Sequence, residues 1–348
     1  MIVRSKAPLR LGLAGGGSDV SPYSETYGGL VLNATISLYA YCTIEETDDG
    51  CISIVSLDSG CNCVYPVCGE LPLSGGAELI KGVYNRVMRD FGTVPRAFRI
   101  TTYNDAPAGS GLGTSSTMVV CILKAFAEWL SLPLGDYEIA RLAYETERLD
   151  LGLSGGKQDQ YAAAFGGFNF IEFLSDDRVI VNPLKVKRWI CDELESSLLL
   201  YFTGKSRSSA RIIDEQRANT ASGNEEAIAA MHLIRQSAVD MKAALLRGDM
   251  AEFSRILGSS WENKKKMASG ITNAVIQQAF DVACAAGAKA GKVSGAGGGG
   301  FIIFFVDPVD KKRVEEALKG LDGFVLPFLF TDGGAHGWKI YETDKCQK

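Results

Sequence analysis

Residues 107 to 116 read PAGSGLGTSS, with four hydroxyl side chains, three glycines and no charge. RITTYND before them has the β-branched and aromatic content of a strand, and TMVVCILKAFAEWL after them reads as a helix. A loop of this kind at a helix N-terminus presents unpaired backbone N–H groups to an anion. Glycines let the chain approach closely, and the helix dipole adds roughly half a positive charge. Pro107, Gly109, Ser110, Gly111, Leu112, Gly113, Thr114, Ser115 and Ser116 are therefore candidates to hold a polyphosphate. The last three can also offer hydroxyls to Mg2+. One serine would suffice for a helix cap, so the stretch is over-supplied for a purely structural role. It is not the G-x-x-x-x-G-K-[ST] loop, because no lysine follows the last glycine. A dinucleotide loop would need glycine or alanine at the sixth position, where Thr114 stands.

Two more glycine loops accompany it. APLRLGLAGGGSD, residues 7 to 19, is a strand ending in glycines and then Asp19, while KVSGAGGGGFIIFF, residues 292 to 305, carries five glycines between two strands. A tight turn needs one or two glycines, and five invite a ligand onto the backbone. ETERLDLGLSGGKQDQYAAAFGG, residues 145 to 167, places Glu147 near a helix end and Asp159 at the start of a short helix. Asp159 can be a dipole partner there, or the base that accepts a hydroxyl proton in phosphoryl transfer.

The elements that must position these residues form two groups. Strands dominate the first 75 residues, followed by a helix at about 77 to 91, a strand at 97 to 102, the helix after the hydroxyl-rich loop, and a helix from Asp136 across ETERLD. Strands at about 168 to 174 and 178 to 182 close the group, and NPLKVKRW marks a boundary. Beyond it come a buried strand, three helical patterns, the third glycine loop, a helix and two strands. This is an α+β pattern of two units, 1–185 and 186–348. Net charge is −5, from 36 basic and 41 acidic residues, and no basic tract invites nucleic acid. An anionic ligand must find a local positive pocket. No run of about 20 apolar residues is present to span a membrane, and nine cysteines, an odd number, fit reduced thiols and a cytoplasmic setting.

Together and in this order, the three loops and the Asp resemble the GHMP kinases, the family of galactokinase, homoserine kinase and mevalonate kinase. PAGSGLGTSS resembles the family's P-x-x-x-G-L-G-S-S phosphate loop, with Thr114 for the first serine, and the resemblance covers nearly the whole chain. It implies an N-terminal domain like domain 2 of ribosomal protein S5, a ferredoxin-like C-terminal domain, and ATP with Mg2+ between them. By position it implies Asp159 as catalytic base, Arg10 as its basic partner, and Ser115 with Glu147 as metal ligands, Ser116 competing with Ser115. Arg10 is lysine in mevalonate kinases and arginine in galactokinases, so the chain sides with sugars. Gly16, Gly17, Ser18, Asp19, Gly156, Gly297 and Gly298 fall where the family meets its substrate. LRLGLAGGGSD, GGKQDQYAAAFGG and TGKSRSSARI most resemble heptose phosphate kinases, which implies a sugar 7-phosphate phosphorylated on its anomeric oxygen; fucokinase domains share much of the pattern. Lys205 and Arg207 in TGKSRSSARI, with hydroxyls at a helix start, are the candidate ligands of the sugar's phosphate.

Overall fold

The first strand shows how the molecule is layered. Strand β1 (Ile2–Ala14) alternates exposed and buried residues as far as Lys6 and is then buried at every position. Its first half therefore lies on a sheet with one open face, and its second half is covered on both. The computed structural model describes residues 1–204 and 210–341. In chain order β1 is followed by α1 (Tyr23–Tyr27), β2 (Gly29–Glu46), β3 (Cys51–Ser56), β4 (Cys61–Pro66), α2 (Glu78–Phe91), β5 (Phe98–Asn104), α3 (Thr114–Leu130) and α4 (Asp136–Glu145). Then come α5 (Gln158–Phe165), β6 (Phe168–Phe173), β7 (Val179–Pro183), α6 (Arg188–Ser197), β8 (Leu198–Phe202), α7 (Ala210–Ala221) and α8 (Glu225–Arg247). The chain continues through α9 (Met250–Lys264), α10 (Ala274–Ala285), β9 (Ala288–Val293), β10 (Phe301–Val306), α11 (Lys311–Leu318), β11 (Phe324–Leu326) and β12 (His336–Ile340).

The first sheet runs β12-β1-β2-β5-β3-β4, with β6 and β7 continuing from the other end of the long β2. Among the described residues only β3 and β5 pair in parallel. Val3 and Ala7 share a core with α2, α3 and the alanine face of α5. Leu9, Leu11 and Leu13 turn the other way, onto Ala238 and Met241 of α8 and Phe253 and Ile256 of α9. Arg10 lies between those leucines on the opposite face of the same strand, where the glycine loops meet.

The second sheet is β11-β8-β10-β9, antiparallel throughout. Numbered within itself its order is 4-1-3-2, with helices between its first and second and its third and fourth strands, the ferredoxin-like arrangement. Four helices, not the three patterns read from the sequence, separate β8 from β9 among the described residues. Among these helices, α9 packs against β9 and touches β1. A second difference lies at the end of the chain. β12 falls within 186–348, yet it pairs with β1, Lys6 opposite His336 and Ile2 opposite Ile340.

A third difference lies inside the helix expected to run from Asp136 through ETERLD. After Glu145 the chain makes a π turn over Thr146–Asp150. Such single turns carry one extra residue and re-aim a side chain, often at functional sites. Both flanks are held by one guanidinium of α2. Arg86 pairs with Glu145 before the turn and with Asp150 at its end, the latter at 3.1 Å.

Candidate active site

Three glycine loops meet around a cavity of about 370 Å3. The loop before α3 and the loop between β9 and β10 interlock. Gly111 has φ +81°, and a Cβ there would lie 2.4 Å from the Ser294 carbonyl oxygen. The Phe301 amide donates to the Ser110 carbonyl at 2.8 Å. Arg10 stitches the seam from β1. It donates to the Gly111 carbonyl at 2.6 Å and, through Nε, to Asp159 Oδ1 at 2.7 Å. The Asp159 carboxylate in turn borders the phosphate loop, since a Cβ on Gly113 would meet it at 3.1 Å. A carboxylate, a buried guanidinium and a helix N-terminus thus face one space.

The start of α5, which carries Asp159, is held by Asp19. Asp19 Oδ2 accepts from the backbone amides of Lys157 and Gln158 at 2.9 and 3.0 Å, and Oδ1 accepts from Gly17 N and Gln158 Nε2. Asp19 lines the cavity, but all four bonds are internal, so its immediate occupation is to position Asp159. Gly156 is small for the same reason: a Cβ would sit 2.0 Å from Asp19 Oδ2.

Behind the N-terminus of α3 is a buried oxygen-rich cluster. Gln160 Nε2 donates to Glu147 Oε2 at 2.5 Å and to Ser116 Oγ at 3.1 Å. Burial pushes the Glu147 carboxyl up, opposed by Arg148 and by hydrogen bonds from Ser116 and Gln160. Gln160 Oε1 is buried and has no hydrogen-bond partner among the described residues. A carboxylate, a hydroxyl and an orphaned amide oxygen suit a hard cation such as Mg2+. The geometry distinguishes the two serines. Ser116 shares Gln160 with Glu147, whereas Ser115 is exposed at the mouth of the helix. The π turn is what aims Glu147 into this cluster.

Of the residues expected from the sequence, Arg10, Gly17, Asp19, Gly109, Gly111, Gly113, Thr114, Ser115, Ser116, Glu147, Gly156, Asp159 and Gly297 line the cavity. Others stand behind it. The Ser18 hydroxyl donates to the Gly15 and Leu30 carbonyls, Leu112 is buried among apolar side chains, and Gly298 donates to the Ile271 carbonyl. Pro107, Gly16 and Ser110 also lie off the lining. Lys205 and Arg207 fall outside the described residues.

The structure adds a cation that the sequence reading did not single out. Lys264, the last residue of α9, is buried on the cavity wall and donates to the Gly295 carbonyl. Burial and the neighbouring Arg10 push its ammonium down to about 8, against the pull of Asp19 and Asp159. Lys292 is buried beside it, donates to the Leu13 carbonyl at 3.2 Å, and is held well below the ordinary lysine range by burial, Lys264 and Arg10. Here is the local positive pocket that a chain of net charge −5 needs if it is to hold a polyanion.

Comparison with known proteins decides the family. Residues 78–167 match the model of the GHMP kinases N terminal domain, and residues 241–321 match that of the GHMP kinases C terminal domain. A D-glycero-alpha-D-manno-heptose 7-phosphate kinase from Campylobacter jejuni is 49% identical over 338 residues, 97% of this chain and 99% of that one. The chain belongs to the GHMP kinase family. A crystal structure of a D-glycero-D-manno-heptose 1-phosphate kinase from Bacteroides thetaiotaomicron is 65% identical, covers 98% of this chain and 100% of its own, and superposes with a TM-score of 0.85. A galactokinase from Lactococcus lactis shares the fold at 18% identity and a TM-score of 0.75, covering 96% and 94% of the two chains. The GHMP fold expected from the glycine loops is thus the one observed, and the chain is a small-molecule kinase of that family.

Proposed function

We propose that this kinase transfers the γ-phosphoryl group of MgATP to the anomeric hydroxyl of D-glycero-D-manno-heptose 7-phosphate, giving the 1,7-bisphosphate for nucleotide-activated heptose synthesis in the cytoplasm. The observation that carries the reading is the Arg10–Asp159 pair set against the Gly111–Gly113 loop. Asp159 accepts the hydroxyl proton as the sugar oxygen attacks the γ-phosphorus, and the bond to the ADP oxygen breaks. Arg10 fixes the Asp159 rotamer through its Nε–H bond to Oδ1. Backbone amides at the start of α3 take the phosphates. Ser116 and Glu147 would hold Mg2+, with Ser115 at the phosphates; when bound, that ion neutralises charge on the bridging phosphate oxygens.

The sugar assignment is supported by relatives at 49% and 65% identity whose names both specify a heptose phosphate. Those names differ on the phosphate position, 7 in one and 1 in the other. A panel of sugars and sugar phosphates assayed for ADP release, with the new phosphate located by NMR, tests the reading. Equal use of the unphosphorylated heptose would overturn it and favour a fucokinase-like substrate. For the sugar's own phosphate the sequence offers Lys205 and Arg207. Arg207→Ala should raise KM for the sugar phosphate by roughly tenfold or more, the scale of one charge-assisted bond, and leave KM for ATP in place.

A further inference from the structure

We propose that Lys264 is a catalytic residue of this site, its ammonium contacting the phosphoryl group in transit between nucleotide and sugar. The inference rests on the kinase reading above and assigns to that reaction a cation from the second unit. Three observations converge on it. Lys264 lines the same cavity as Arg10, Asp159 and the phosphate loop. Its one hydrogen bond among the described residues goes to the Gly295 carbonyl, and it has no ion pair among them. Gly295 in turn packs on the phosphate loop, where its Cβ would lie 2.8 Å from Gly111 Cα. The ammonium is therefore tied to the junction of the phosphate loop and the candidate base, with N–H donors left over.

The electrostatics point the same way. Arg10 already neutralises Asp159, and Asp19 is saturated by four N–H groups. Neither carboxylate forms an ion pair with Lys264, so its buried ammonium lacks a direct counter-ion among the described residues, which is unfavourable until an anion arrives. Such an anion restores the lysine's ordinary basicity, and burial depresses it in the anion's absence. A preorganised cation where negative charge is redistributed stabilises the transition state more than the ground state.

A structural alternative exists, since Lys264 could serve only to tether the third glycine loop through Gly295. Lys264→Gln keeps an N–H donor and loses the charge, Lys264→Met loses both, and Lys264→Arg keeps the charge. With ATP and the heptose phosphate, both neutral variants are expected to lose about 10²–10³-fold in kcat, the scale of one transition-state donor. Lys264→Arg is expected to retain more activity than either. ADP affinity should change by less than about threefold. Affinity for ADP with fluoroaluminate, which mimics the phosphoryl in transit, should fall by at least about thirtyfold for both neutral variants. If Lys264→Gln keeps wild-type kcat while Lys264→Met loses it, the lysine is a tether and the proposal fails. It fails too if both neutral variants turn over normally or lose only sugar KM. Failure of the wild-type protein to release ADP with any sugar phosphate would instead refute the kinase substrate reading. Circular dichroism melts of all three variants identify any that does not fold, and the folded ones then decide between charge and tether.

Discussion

Replacing Asp159 by Asn is the most direct test of how charge is arranged at the seam. The Arg10–Asp159 contact is 2.7 Å, with the side chains 4% and 21% exposed. Two unit charges about 4 Å apart at an effective dielectric of about 20 attract by about 4 kcal/mol. Breaking a fully buried pair costs about 3–5 kcal/mol. Asp159 is partly solvated and Asn keeps an acceptor for Arg10 Nε, so a loss of roughly 1–3 kcal/mol in stability is the expected outcome. The kinetic effect should be larger. A positioned base contributes about 10²–10⁴-fold, so kcat for ADP release should fall by at least about 10²-fold while nucleotide affinity changes little. Stability is read by thermal or urea unfolding, and kcat by coupled ADP assay at saturating substrates. Arg10→Met in the Asp159→Asn background should then cost less kcat than in the wild-type background, because the share Arg10 exerts through Asp159 is already gone while its bond to the Gly111 carbonyl is lost in both. A variant with kcat within tenfold of wild type would remove Asp159 from the mechanism, and fully additive losses would show that the pair does not act as a unit.

Other expectations follow from the same geometry. Ser116→Ala and Glu147→Gln should each raise the Mg2+ concentration needed for half-maximal rate, and the double variant should be far from additive; Ser115→Ala should leave that requirement closer to wild type. Arg86→Leu, which frees both flanks of the π turn, should cost roughly 1–3 kcal/mol by urea unfolding and raise the Mg2+ requirement, since Glu147 loses its aim. Lys264 titrates near 8 in the fold against 10.5 for an ordinary lysine. Below pH 8 its charge is buried at full cost. Between pH 8 and 10.5 the folded state releases a proton that the unfolded state keeps, so stability rises with pH, by on the order of 3 kcal/mol. Ligand-free Lys264→Met should accordingly melt above wild type at pH 7, with the difference gone by pH 10.5; a lower melting temperature at pH 7 would contradict the sign.

The sequence made the loops readable because their function is written in composition. Hydroxyls and glycines beyond the needs of a turn, placed at a strand-to-helix junction, have few structural uses. Asp159 and Arg10 were legible through motif position, and the structure places them in contact. Lys264 was not, because WENKKKM reads as a solvated charged run. Its lysines separate only by position: Lys264 closes α9 on the buried side of Leu257 and Trp261, while Lys266 lies past the helix and is exposed. A lysine sharing the face of Leu257 and Trp261 is the signal that was available. Glu147 was legible by type, but its aim depends on a π turn that no helical periodicity announces. Asp19 falls where the family meets its substrate, but its amide partners on Lys157 and Gln158 come from far along the chain, which spacing does not reveal.

The return of β12 to the first sheet bears on how the chain is made. β1 is synthesised long before the partner of its outer edge, which lies more than three hundred residues downstream. At 5–20 residues per second, that edge stays unpaired for on the order of tens of seconds on the ribosome. An open strand edge is a template for association with other chains, and charged side chains are the usual deterrent. Arg4 and Lys6 stand on this edge, opposite Trp338 and His336 in the finished sheet. Their charges thus serve the nascent chain before they serve the folded one. A chain stopped at residue 330 should self-associate through β1, and faster when Arg4 and Lys6 are replaced by valine. Of the two units, the one that emerges earlier is in this sense completed later.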